Sequence, residues 1–226
     1  AFVIGASDGA LANLGSGAVT AGSLAVSIGT SSAVRCVSEQ VYTDPRMRSF
    51  CYHLAGSSYI IGGASNNGAV VIQWLKESLL ACNDSYEDLM DAASAVNPGC
   101  DGLLLIPYIL GERAPIWNSR ARGVFFGLDI NHSRAHMVRA AMEGVIYNVY
   151  AIGRILMQQH SVHAIYAAGG FSQNHFWLQM LCDMFNCKVL VTGAVESSAF
   201  GAVKLGLDAL FIKRDWVPHV TATYLP

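Results

Sequence analysis

The chain has 226 residues, enough to bury a substantial core in one large domain or two small ones. Hydrophobic residues make up 53% and charged residues 13%, against roughly 25% charged in an ordinary globular domain, so its faces are covered by its own helices or by a partner. A net charge of −2 without a basic stripe gives no electrostatic argument for a nucleic-acid partner, and no run of about 18 uncharged apolar residues argues for a membrane span.

The first informative stretch is Ile4-Gly-Ala-Ser-Asp8-Gly-Ala10. A short carboxylate among small residues can approach a substrate hydroxyl as a general base. Aspartate is also a favoured N-cap for the helix that follows, which is the more ordinary use of such a residue, and the residues alone leave both readings open. Its place so near the start suggests that the chain is one half of something larger.

Residues 23–28 and 33–37 are β-rich and flank Gly29-Thr30-Ser31-Ser32, which predicts a hairpin. Glycine in that turn lets backbone N–H groups approach phosphate oxygens, with hydroxyls as further donors; an ordinary hairpin turn has the same composition. Residues 59–62 read as a third short strand. Residues 67–80 read as a helix with Val70, Val71, Trp74 and Leu80 at core spacing, and 86–95 as a shorter helix ended by Asn97-Pro98-Gly99. An apolar strand at 103–108 precedes a polar loop at 111–122 whose Arg113 and Arg122 could contact an anion or pair with acids.

From Ser133, a plausible N-cap, the pattern is helical for about seven turns. A strand at 164–168 leads into Gly169-Gly170-Phe171-Ser172-Gln173-Asn174, then a helix at 174–185, a strand at 188–191 and a helix from 197 to about 213. A glycine pair between strand and helix permits close approach of a ligand, and a plain connecting turn would look alike. The loop is not G-x-G-x-x-G, and no Walker A loop occurs anywhere. Three strands followed by strand–helix units predict one α/β domain over residues 1–226, of ribonuclease-H-like type.

His132 and His136 stand four apart, but no carboxylate or thiolate is suitably spaced to complete a metal site, and His160 and His163 read as solvated or capping groups. Six cysteines without a CxxC pair read as reduced thiols, which predicts a cytoplasmic protein.

Taken in order, these loops resemble the FGGY carbohydrate kinases. Gly123-Val-Phe-Phe-Gly127-Leu, followed after seven residues by His136-Met-Val-Arg-Ala-Ala-Met-Glu143, resembles that family's second signature. Gly5-Ala-Ser-Asp8-Gly is similar to its base motif, Ser27-Ile-Gly-Thr30-Ser to its phosphate hairpin, and Gly169-Gly170 through Asn174 to its adenosine loop. Glu196-Ser-Ser-Ala-Phe-Gly201-Ala resembles the element that closes the adenine pocket, and the likeness runs from Ile4 to about Leu210. Within the family, Ala6 to Gly15, Asn66-Asn67-Gly68 and Gly111-Glu-Arg-Ala-Pro-Ile-Trp-Asn118 are similar to the branch acting on gluconate.

The resemblance implies an actin/hexokinase/sugar-kinase fold, a mixed β-sheet with helices on both faces, forming the C-terminal nucleotide-binding domain of a two-domain enzyme. It implies ATP and Mg2+ as cofactors and a reaction taking gluconate to 6-phosphogluconate. Xylulose, ribulose or glycerol as acceptor, or a non-catalytic actin-like nucleotide-binding module, are the alternatives. Asp8 would be the base and lie near the magnesium carried by ATP. Gly29 and Thr30 would contact the transferring phosphate. Gly68 and Gln73 would contact the nucleotide, in a loose register that sets the family's glycine on Ala69. Gly169, Gly170, Phe171 and Asn174 would hold the adenosine, while the long helix at 133 and its signature serve as core and hinge. The implied partners are an N-terminal domain absent from this chain and a small sugar or sugar acid, with neither nucleic acid nor membrane; the resemblance also allows for a homodimer.

Overall fold

The computed structural model describes residues 2–193, 196–212, 214 and 218–226. Helix α1 (Asp8–Ser16) is capped by Ser7, whose hydroxyl accepts from the Ala10 N–H, and it stops at Gly17 in the left-handed region at φ +90°. Strands β1 (Ser23–Ile28), β2 (Ser32–Ser38), β3 (Phe50–Ala55) and β4 (Ser58–Ser65) follow. Helix α2 (Val70–Trp74) runs into one π turn, Leu75–Leu79. Helix α3 (Tyr86–Ser94), the ribbon strands β5 (Leu104–Ile106) and β6 (Val124–Phe126), and the long helix α4 (Arg134–Met157) complete the first part. The chain then gives β7 (Ala164–Ala168), α5 (His175–Phe185), β8 (Lys188–Thr192), α6 (Ser197–Ala209) and β9 (Val220–Tyr224).

Seven strands form one sheet in the order β3-β4-β2-β1-β7-β8-β9, with β1, β7 and β8 parallel and the remaining pairings antiparallel. This mixed sheet is of the ribonuclease-H-like type. Two-residue alternation gives the central strand β1 two buried faces. Leu24, Val26 and Ile28 join Val34 and Ile61 in a core completed by Val145, Val149 and Ile152 of α4 and by Trp177 and Leu181 of α5. On the opposite face Arg35 lies against Gly9 of α1, and Tyr166 against Gly17 just past its end.

Helices α1 and α6 then pack through glycine. A Cβ on Gly15 would lie 1.7 Å from the Ser197 carbonyl oxygen, and one on Gly201 would lie 1.9 Å from that of Leu11. Both obstructions are backbone, so only glycine allows this crossing. Gly201 thus holds α6 to α1, and none of residues 196–202 lines the cleft described below. The sequence reading carried α6 on to Lys213; the helix ends at Ala209, and Lys213 lies outside the described residues.

Two other elements differ from expectation. The helix expected from residue 67 starts at Val70, because Asn67 is held by polar partners and the N–H groups of Gly68 and Ala69 bond back to Thr30 and Gly29. The apolar segment at 103–108 keeps three strand residues and pairs with β6 as a separate ribbon outside the main sheet. No helix among the described residues is long and apolar enough to cross a membrane.

Candidate active site

Because β1 and β7 run parallel, with Ser27 beside Ala168, the loops that leave them emerge side by side. These are the Gly29–Ser32 turn and the Gly169–Asn174 loop, at the carboxyl ends of their strands, where open α/β sheets bind ligands. Gly169 adopts φ +96°, and a Cβ there would meet the Ile28 carbonyl oxygen at 2.5 Å, so it fastens one loop to the other. Gly170 faces open space: a Cβ added to it meets nothing within 4 Å.

A cavity of about 510 Å³ opens beside these loops. Its walls include Thr30, Gln73, Gly170, Phe171 and Asn174 among the residues singled out from sequence, together with Ala69, Val70, Tyr86, Met90 and Trp177. Phe171 is buried and sets its ring edge-on to Trp177 at 6.0 Å between centroids, which makes it part of the floor. Asn174 is the N-cap of α5: its Oδ1 accepts from the Trp177 N–H at 2.8 Å, and its Nδ2 points to the Met90 sulfur. Gln73 is exposed and donates to Glu77, which also accepts from the Tyr86 hydroxyl.

Gly68 does not reach the cavity. Its N–H donates to the Thr30 carbonyl, and a Cβ would lie 2.5 Å from the Gly29 oxygen, so it seats the start of α2 on the hairpin turn. Its neighbour Ala69 does line the cavity, on the position where the loose register had set the family's glycine.

Behind the turn lies a buried polar network that the sequence reading missed. Glu112, 2% exposed, accepts from the Ser65 hydroxyl, the Asn67 and Asn148 side-chain amides and the backbone N–H groups of Asn66 and Arg113. Asn67 passes this support on, since its carbonyl accepts from the Ser32 hydroxyl at the end of the hairpin turn. The one available signal was an acid held between Gly111 and Arg113, in a loop whose arginines had been read as anion contacts or partners of acids.

Asp8 lies outside the cavity, on the α1 side of the hairpin. It is exposed in the first turn of the helix, and its Oδ1 accepts from the Gly9 N–H at 2.7 Å. Ser7, not Asp8, is the cap, so the cap does not explain an aspartate at this position. No hydrogen bond among the described residues engages its Oδ2. Beneath it, Arg35 of β2 donates to the Ser27 hydroxyl.

The long signature packs rather than binds. Glu143 accepts from the Gly99 N–H, from Arg139 Nε at 2.7 Å and from the Tyr147 hydroxyl, while Gly127, at φ +81°, fits against the Gly102 carbonyl. His132 sits at hydrogen-bonding distance from the Cys100 carbonyl and His136 from Asp101, which accounts for both rings without a metal.

Residues 24–210 match the FGGY family of carbohydrate kinases, C-terminal domain; Asp8 lies upstream of the matched stretch. The gluconokinase of Bacillus subtilis (strain 168) is 45% identical over 219 residues, covering 92% of this chain and 43% of its own length. Among solved structures, a ligand-bound xylulose kinase from Lactobacillus acidophilus aligns with a TM-score of 0.93 at 34% identity, over 99% of this chain and 47% of that one. A gluconate kinase from the same organism aligns with a TM-score of 0.92 at 33% identity, over 97% and 46%. The chain spans under half the length of each of these relatives.

Proposed function

The chain belongs to the FGGY family of carbohydrate kinases, and on that premise we propose that it is the nucleotide-binding half of an enzyme that moves the γ-phosphoryl group of ATP to the primary hydroxyl of gluconate. The observation that carries the proposal is the cavity of about 510 Å³ walled by Thr30, Gly170, Phe171 and Asn174. Its size suits a nucleoside, and its lining combines an aromatic floor with a few polar groups. The adenosine would rest over Phe171 and against Gly170, with α5 and its cap Asn174 forming the far wall. The phosphate chain would run toward the Gly29-Thr30 turn, where open backbone and a hydroxyl can donate to it.

In phosphoryl transfer the protein's work is positioning, charge stabilisation and removal of the acceptor's proton. Asp8, exposed in the first turn of α1 with one oxygen unengaged, would take that proton from the hydroxyl as it attacks. A hard divalent cation suits a free carboxylate oxygen, and Asp8 would help hold magnesium brought in with ATP. The ion would supply neutralisation of the charge on the phosphoryl oxygens. An N-terminal domain of the intact protein would form the facing wall and exclude water on closing. The likeness to a gluconokinase supports gluconate as acceptor; the likeness to a xylulose kinase makes xylulose the second reading.

Gly170→Val in the intact enzyme tests the nucleotide cleft. The added atoms enter open space and not the core, so stability should hold while the KM for ATP rises by about 10-fold or more. Steady-state kinetics with a thermal melt read both quantities, and an unchanged KM for ATP would place the nucleotide elsewhere.

A further inference from the structure

Arg35 has an environment that the phosphoryl-transfer chemistry does not explain. It projects from β2 onto the α1 face of the sheet, where its guanidinium presses on Gly9: a Cβ there would lie 2.8 Å from Nη2. Its stem packs beside Gly62, and its one hydrogen bond among the described residues is to the Ser27 hydroxyl at 3.3 Å. No carboxylate among the described residues forms an ion pair with it. Burial pushes the guanidinium below its ordinary range; the Asp8 charge opposes that shift and the Arg113 charge adds to it.

Arg113 enters the same region from the loop after β5. Its Nη2 donates to the Ser65 carbonyl, at the end of β4 that pairs with the start of β2. Its Nε is buried with no hydrogen-bond partner. Two guanidiniums near one another, both with unused donors and neither in an ion pair, are suited to an anion. Arg35 does not line the nucleotide cavity; it lies beside Asp8, where an acceptor must bring its hydroxyl.

We propose that Arg35, assisted by Arg113, is the specificity-determining subsite for the carboxylate of a sugar-acid acceptor, and that it selects an aldonic acid over neutral sugars and polyols. This rests on the proposed reaction, since it takes Asp8 as the base that faces the acceptor. The same donors could in principle hold a phosphate of the nucleotide, and the experiment separates the two sources.

Arg35→Gln and Arg35→Lys in the intact enzyme are compared with wild type for the KM of gluconate, the KM of MgATP and the inhibition constant of glucitol, the neutral alcohol of the same carbon chain. Loss of a charge-assisted contact is expected to raise the gluconate KM by about 10- to 100-fold in Arg35→Gln. MgATP and glucitol should change by less than about 2-fold, with part of the gluconate loss recovered in Arg35→Lys, which keeps stem and charge. Equal weakening of gluconate and glucitol would reduce Arg35 to a structural role. A rise confined to MgATP would assign it to the phosphates, and an unchanged gluconate KM would remove the subsite. Wild-type enzyme that phosphorylates neutral sugars but not gluconate would overturn the proposed reaction and this subsite together. Normal gluconate turnover indifferent to Arg35 would overturn the subsite alone.

Discussion

Asp8→Asn in the intact enzyme is expected to lower kcat by about 10²- to 10⁴-fold while the KM for ATP changes by less than about 2-fold. The split follows from where Asp8 sits. It is exposed, outside the nucleotide cavity, and bonded only to the adjacent Gly9 N–H. Asparagine keeps the size and one carbonyl oxygen for that contact but cannot take up a proton. The start of the helix should survive, because Ser7 supplies the cap. What the fold loses is an acidic group in the first turn of α1, a matter of about 0.3–1 kcal/mol. A drop in kcat therefore cannot be charged to unfolding, and a circular-dichroism melt alongside the kinetics shows this directly. Near-normal turnover would take the base role away from Asp8.

Glu112→Ala is expected to cost about 3–5 kcal/mol of stability, the scale seen when one member of a buried charged network is removed. Five donors, from Ser65, Asn66, Asn67, Arg113 and Asn148, lose their shared acceptor in a site that water reaches poorly. For a domain of this size that corresponds to a melting temperature lower by about 6–20 °C. The effect should also reach function, because Asn67 connects the network to Ser32 and Gly68 connects it to Thr30. A raised KM for ATP in whatever protein remains folded is the second readout. A loss below about 1 kcal/mol would mean that the donors find other acceptors, and that the network does not hold the turn.

The elements most legible in the sequence carry their own local chemistry. Ser85 and Asp88 form a reciprocal capping box at α3, and Ser133 opens α4 with the His136 ring accepting from its backbone N–H, so both starts could be read from residue types. The β1–β2 hairpin and β7 have apolar runs bounded by turn residues, and they lie where the pattern put them. By contrast β3 and β9 are edge strands without a fully buried residue, and although β9 alternates and β3 is largely apolar, runs of five or six residues at a sheet edge were too short to be read as strands. Strand β6 lasts three residues and exists through its pairing with β5, which local sequence does not encode.

The candidate site divides in the same way. Glycines announced the loops but not their separate tasks: Gly170 is open to a ligand, while Gly68 and Gly169 are pressed against backbone oxygens. Aspartate at residue 8 read alone as a helix cap or a base; the cap falls one residue earlier, on Ser7. Glu112 lies 45 residues from Asn67 and 36 from Asn148, and contacts over such separations leave no periodic trace. The shared environment of Arg35 and Arg113 is likewise a product of the sheet bringing distant segments together.

The central claim, a gluconate-phosphorylating enzyme built around Asp8 and the cleft at Thr30 and Gly170, is tested most directly by the product. The intact protein is incubated with MgATP and gluconate, and the sugar acid is followed by phosphorus NMR while ADP is measured. The account predicts 6-phosphogluconate formed in step with ADP, with the signal lost in Asp8→Asn. Nucleotide binding without any phosphorylated acid or sugar, or phosphorylation that persists in Asp8→Asn, would contradict it.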